Sequence, residues 1–133
     1  GLNARKVLNA SLLLRALARE QMALFEHALA ELTGTPHHRA WLMVHDAGPL
    51  GLKSIYDRAG LPPRLFQAFR AGVDTWRQLQ SEGVDTTGDI FREQMLQRFL
   101  TQRPNAPRED LAYLMERLDQ PAAEMAPRAA NAA

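Results

Sequence analysis

His45 and Asp46 are adjacent, and a neighbouring imidazole and carboxylate make a donor pair able to hold a metal ion whose bound water attacks phosphate. Such a centre needs two further ligands, a separate upstream histidine and a distant aspartate. His27 or His38 and Asp74 or Asp89 are nominal candidates, but no second motif surrounds them. A structural role competes. Asp46 is placed to accept hydrogen bonds from backbone amides of the Gly48 to Gly51 turn, and His45 to end a helix, where the dipole favours a cationic side chain. That role is the expectation, with no catalytic residue, no metal and no other cofactor.

The enzyme alternative is a metal-dependent phosphohydrolase of HD type, an all-helical class in which a helix ends in two such ligands. Pro49 stands where those enzymes commonly have a lysine. His37 and His38 point apart on a helix, and His38 lies about 10 Å along the axis from His45, too far for one ion to bridge. His27 and Glu31 are spaced as a surface pair. A third reading is helix-turn-helix DNA binding, with Lys53, Arg58 and Arg64 facing phosphates. The first turn of its recognition helix would be Pro49, Leu50, Gly51 and Leu52, none able to read a base edge by hydrogen bonding, so nucleic acid is not the expected partner. No phosphate-binding glycine loop, nucleophile elbow or paired-carboxylate motif occurs.

The elements that must position these residues are helices punctuated by glycine and proline. Asn9 reads as an N-cap ahead of Leu12, Leu13, Ala16 and Leu17; Ala23, Leu24, Ala28, Leu29 and Leu32 continue the stripe as one helix or two until Gly34. Pro36 opens a helix to about Asp46, apolar on every side from Ala40 to Val44, as suits a buried central helix; a short buried strand is the competing reading. Leu52, Ile55, Tyr56 and Ala59 give a short helix stopped at Gly60. Behind Pro62 and Pro63, a long stripe of Leu65, Phe66, Phe69, Val73, Trp76 and Leu79 runs to Gly83, with Arg70, Asp74 and Arg77 as weak surface ion pairs on its other face. Thr86 and Asp89 resemble a capping box before Phe91, Met95, Leu96, Phe99 and Leu100. Pro107, Glu109 and Asp110 open a last amphipathic helix bearing Leu111, Leu114, Met115 and Leu118. The methionines fall mostly among apolar neighbours, which suits core packing. Nothing alternates with period two, so a sheet is not expected. The fold class is all-α: a compact bundle of six or seven short helices, with HEAT-like helix pairs as one arrangement, since Arg-Glu-Gln-Met recurs at residues 19 to 22 and 92 to 95.

The chain has 133 residues, 46% of them hydrophobic, enough for one domain with a core. That domain is expected over residues 1–120, followed by a flexible alanine and proline tail over 121–133 that cannot bury enough apolar surface to offset its ordering entropy. Sixteen basic residues nearly cancel fifteen acidic ones, leaving no global field for nucleic acid or a membrane. Their distribution is uneven. Residues 35–80 hold six basic and three acidic groups, whereas residues 81–120 hold five and eight. The absence of cysteine removes disulfides and thiolate chemistry, and no apolar run approaches a membrane span, so a cytoplasmic protein is expected. Gly1 in place of an initiator methionine suggests the C-terminal part of a longer polypeptide.

Two segments, LLLRALAREQMALFEHALAELTGTP and HDAGPLGLKSIYDRAGLPPRLFQAF, resemble the C-terminal half of a bacterial family known as domain of unknown function 2336, over about residues 10 to 80. The resemblance rests on Leu14, Arg15, Leu17, Phe25, Leu29, Gly34, Pro36, His45, Asp46, Gly51, Leu52, Tyr56, Ala59, Gly60, Leu61 and Pro62. It implies a helical fold and a bacterial origin, and it assigns no catalytic residue. The functional expectation is therefore a protein-interaction or regulatory module. Its apolar groove would lie between helices, rimmed by Arg58, Arg64, Arg70 and Arg77, and would accept a protein partner or a second copy; His45 and Asp46 are the other two candidate binding residues.

Overall fold

The computed structural model describes residues 2–83 and 89–102, together with Glu109, Ala112 and Glu116. Among these residues the fold is all-α, with no strand: α1 (Leu2–Ala18), α2 (Met22–Thr33), α3 (His37–Val44), α4 (Gly51–Arg58), a 3-10 turn (Pro63–Leu65), α5 (Phe66–Glu82) and α6 (Ile90–Gln102). The last expected helix is represented only by Glu109, Ala112 and Glu116, which are helical; its apolar positions, Thr86 and the alanine and proline tail lie outside the described residues.

Residues 10 to 33 form two helices, broken at Glu20. Glu20 adopts φ 61°, its amide bonds to the Leu17 carbonyl at 3.0 Å, and the Gln21 amide reaches back to Ala16 at 2.8 Å. These are the two bonds of a Schellman motif, here closed without glycine at the left-handed position. Asn9 is not an N-cap but lies inside α1, which begins at Leu2. No proline or glycine upstream interrupts that helix. Gly34 and Gly83 end α2 and α5 at φ 67°, as their positions in the sequence require.

The core is contributed mainly by α1, α2, α4 and α5. Leu14, Leu17, Phe25, Leu29, Leu52, Ile55, Tyr56 and Phe69 are fully buried, each stabilising the fold by about 1.5–3 kcal/mol relative to exposure. Phe91, Met95 and Phe99 bring α6 against α5. Tyr56 packs on the Phe66 and Phe69 rings, with centroids 5.1 Å away, and its hydroxyl donates to the Pro62 carbonyl. That bond fixes the turn from α4 into α5.

One expectation is overturned. α3 is a helix, yet it is not buried all round: only Ala40 and Val44 enter the core, while Trp41 and Leu42 are exposed. Its eight residues pack chiefly against α2 and α4, and among the described residues Trp41 and Leu42 stay on its outer, exposed side.

Candidate functional site

α3 ends at Val44, and His45 follows with φ −94° and ψ 9°. The apolar stripe of α2 runs Met22, Phe25, position 26 and Leu29, and position 26 is a glutamate. Its side chain turns toward the end of α3, where Glu26 Oε2 and His45 Nε2 are hydrogen-bonded; the two side chains are 7% and 10% exposed. Trp41, one turn back on α3, and Trp76 on α5 flank the imidazole at centroid distances of 4.9 and 5.1 Å. A buried carboxylate is tolerated only with such a partner.

Asp46 does what its place before a glycine turn suggests. Oδ1 accepts the Gly48 amide at 2.9 Å and Oδ2 accepts the Gly51 amide at 3.1 Å, which ties the end of α3 to the start of α4. Gly51 is required by space rather than by backbone angle: a Cβ there would lie 2.5 Å from Asp46 Cβ and 2.7 Å from the Met43 carbonyl oxygen.

From α5, two arginines close over the same loop. Arg70 donates to the carbonyls of Gly48 at 3.3 Å and Ala47 at 3.2 Å, while Arg77 donates to the His45 carbonyl at 3.2 Å. Asp74 lies between them and accepts from both, at 3.2 Å each. Arg70 and Asp74 are only 16% and 18% exposed, so this is a partly buried brace and not the surface pairing that the spacing predicts. Carbonyls left unpaired at the end of α3 thus find cationic donors, the favourable sign at a helix C-terminus.

Outside the braced loop lies a shallow concavity whose walls include Arg39, Trp41, Leu42, Met43, Ala47 and Gly51. Trp41 is 45% exposed, Leu42 51% and, next to Gly51, Leu50 74%, values far from those of core residues.

The family described as "Uncharacterised protein conserved in bacteria (DUF2336)" matches residues 1–109. The chain belongs to this family. Membership therefore extends over most of the chain, beyond the 10 to 80 stretch on which the sequence resemblance rests, and it is not confined to a C-terminal half. No curated protein and no solved structure matches the chain.

Of the residues singled out from the sequence of this family member, the structure brings His45, Asp46, Arg70 and Arg77 together. Arg58 and Arg64 lie elsewhere, exposed at and beyond the far end of α4, about 10 Å of helix axis from its Gly51 start. Lys53 is held by Asp57 at 2.7 Å and sits 5.5 Å from the Phe66 ring centroid. His27 and Glu31 form the exposed pair expected of them, at 3.8 Å. Among the described residues no three histidine, aspartate or glutamate side chains converge as a metal-holding group, and no helix is long and apolar enough to cross a membrane. Sequence reasoning missed Glu26, whose signal is a carboxylate at an apolar position of the α2 stripe. It also missed the exposure of Trp41, Leu42 and Leu50, for which local sequence carries no signal.

Proposed function

We propose that this chain is a protein-binding module, not an enzyme, and that it recognises its partner through the surface formed by Trp41, Leu42 and Leu50 beside the braced His45 to Gly51 loop. The observation that carries this reading is the exposure of two large apolar side chains, Trp41 and Leu42, in the wall of one concavity, with exposed Leu50 next in sequence to Gly51 of the same wall. Contiguous apolar surface with a polar rim is characteristic of interaction sites, and tryptophan is enriched among residues that dominate binding energy. The brace supports the reading in a second way. A loop tied by Asp46, Arg70 and Arg77 presents the surface in one conformation, which lowers the ordering cost of association. His45 Nε2 is directed to Glu26 and both carboxylate oxygens of Asp46 to backbone amides, a scaffold role that needs no reaction.

A photo-crosslinking residue placed at position 42 or 50 in cells should yield an adduct with one protein identifiable by mass, and a probe at exposed Ser81 should not. Adduct formation at positions 42 and 50 no greater than at 81 would overturn the assignment.

A further inference from the structure

We propose that the cleft between α5 and α6 binds a small polar monocarboxylate, and that Arg98 receives its carboxylate group. The cleft has a volume of about 380 Å³ and shares no wall residue with the concavity beside α3, so it is a second site, separate from the protein-binding surface. Its pattern starts in the sequence of α6. Gln94, Gln97, Arg98 and Thr101 recur at spacings of three and four, which puts them on one face of the helix, and Thr75 and Gln78 of α5 line the same cleft. Among the described residues of the wall Arg98 carries the only charge. Most of the others are amides and hydroxyls, which both donate and accept hydrogen bonds.

Neutral oxygens hold Arg98 in place. Its Nε donates to Thr75 Oγ1 at 3.3 Å and its Nη2 to Gln78 Oε1. Thr75 is 2% exposed, and the Gln78 amide is itself oriented by donating to Glu82 Oε2, one turn on, at 3.1 Å. Among the described residues no carboxylate pairs with Arg98. A guanidinium has five N–H donors, and the two engaged here leave three on Nη1 and Nη2, the edge that grips an oxyanion through parallel bonds. A side chain fixed beforehand loses little freedom when it binds. Charge then selects the ligand class. One carboxylate balances one guanidinium, whereas a phosphate dianion finds no second cation in the wall. The surrounding amides and hydroxyls match polar groups on the rest of the molecule, as in an acylated amino acid or a hydroxy acid.

Titration of the full chain with N-acetylglycine, followed by proton–nitrogen NMR, tests this. A saturable shift is expected at the Arg98 Nε–H and at the Gln94 and Gln97 side-chain amides. N-acetylglycinamide, which lacks the carboxylate, should leave all three unmoved. Arg98→Gln should weaken binding by about tenfold to a hundredfold, read at the two glutamine amides, as the loss of a charge-assisted pair requires. Arg98→Lys should recover only part of the loss, because lysine keeps the charge without the paired donors. Circular dichroism checks that both variants fold, and the comparison with N-acetylglycinamide decides the matter without any substitution. No saturable shift with N-acetylglycine, equal shifts with N-acetylglycinamide, or unchanged affinity in folded Arg98→Gln would overturn the assignment. Tighter binding of inorganic phosphate than of N-acetylglycine would overturn it as well.

Discussion

Glu26 on α2 and His45 at the end of α3, 19 residues apart, are hydrogen-bonded to each other in a site almost closed to solvent, with tryptophans on two sides of the imidazole. The bond joins the end of α3 to the buried face of α2, where Phe25 and Leu29 otherwise contribute apolar packing. Because each side chain is satisfied chiefly by the other, removing one leaves the other buried without its partner. Glu26→Ala should cost about 3 kcal/mol in urea unfolding, and the double variant Glu26→Leu with His45→Leu less than the sum of the two single losses. Additive losses would show that the two residues act independently.

Gly51 and Gly34 separate two reasons for glycine. At Gly51 an added methyl group meets Asp46 and the Met43 carbonyl, so Gly51→Ala should destabilise by about 3 kcal/mol and disturb the Asp46 bonds. At Gly34 nothing lies within 4 Å, but φ is 67°, so Gly34→Ala should cost about 1–2 kcal/mol through backbone strain alone. Thermal unfolding of the two variants checks the order. Amide exchange at Gly48 should accelerate only in the first.

Asp74 holds Arg70 and Arg77 in position over the loop, and its loss should be felt at the loop more than in the core. Asp74→Asn keeps the shape and removes the charge. Its expected cost is about 1–2 kcal/mol, with faster hydrogen exchange at the Gly48 and Gly51 amides and little change for the buried amides of α5. Uniformly faster exchange throughout the molecule would mean that Asp74 supports the whole fold instead of the brace.

Much of the fold is legible in the sequence because local rules set it. Gly34, Gly60 and Gly83, together with Pro36, Pro62 and Pro63, stand at or next to the turns and helix starts that their types predict, and the α5 stripe of Phe66, Phe69, Val73 and Leu79 is buried as its spacing requires. Asp46 was legible for the same reason: its partners lie within five residues. What local rules do not reach is set by distant contacts. Glu26 and His45, Arg70 and Gly48, Arg77 and His45 pair across 19 to 32 residues, and no spacing within a helix announces them. Gly72 is another such case, since its role appears only where Leu17 of α1 crosses it, 2.5 Å from where a Cβ would stand. The exposure of α3 is of this kind too: its apolar composition is the same whether a third helix covers it or not.

That exposure gives the remaining prediction, which separates folding from function. Leu50 and Leu52 are two residues apart at the start of α4, one 74% exposed and the other fully buried. Burial alone should decide their contributions to stability. Leu52→Ala is expected to cost about 2–5 kcal/mol, whereas Leu50→Ser, and likewise Leu42→Ser, should stay within about 0.5 kcal/mol of the parent chain. Chemical denaturation of the three variants measures the difference. If Leu42 and Leu50 can become serine without cost, the fold does not need their apolar character, and the same substitutions should instead reduce crosslinking at the α3 surface. A large loss of stability on Leu50→Ser would place that side chain in the core and remove the main support for a docking surface there.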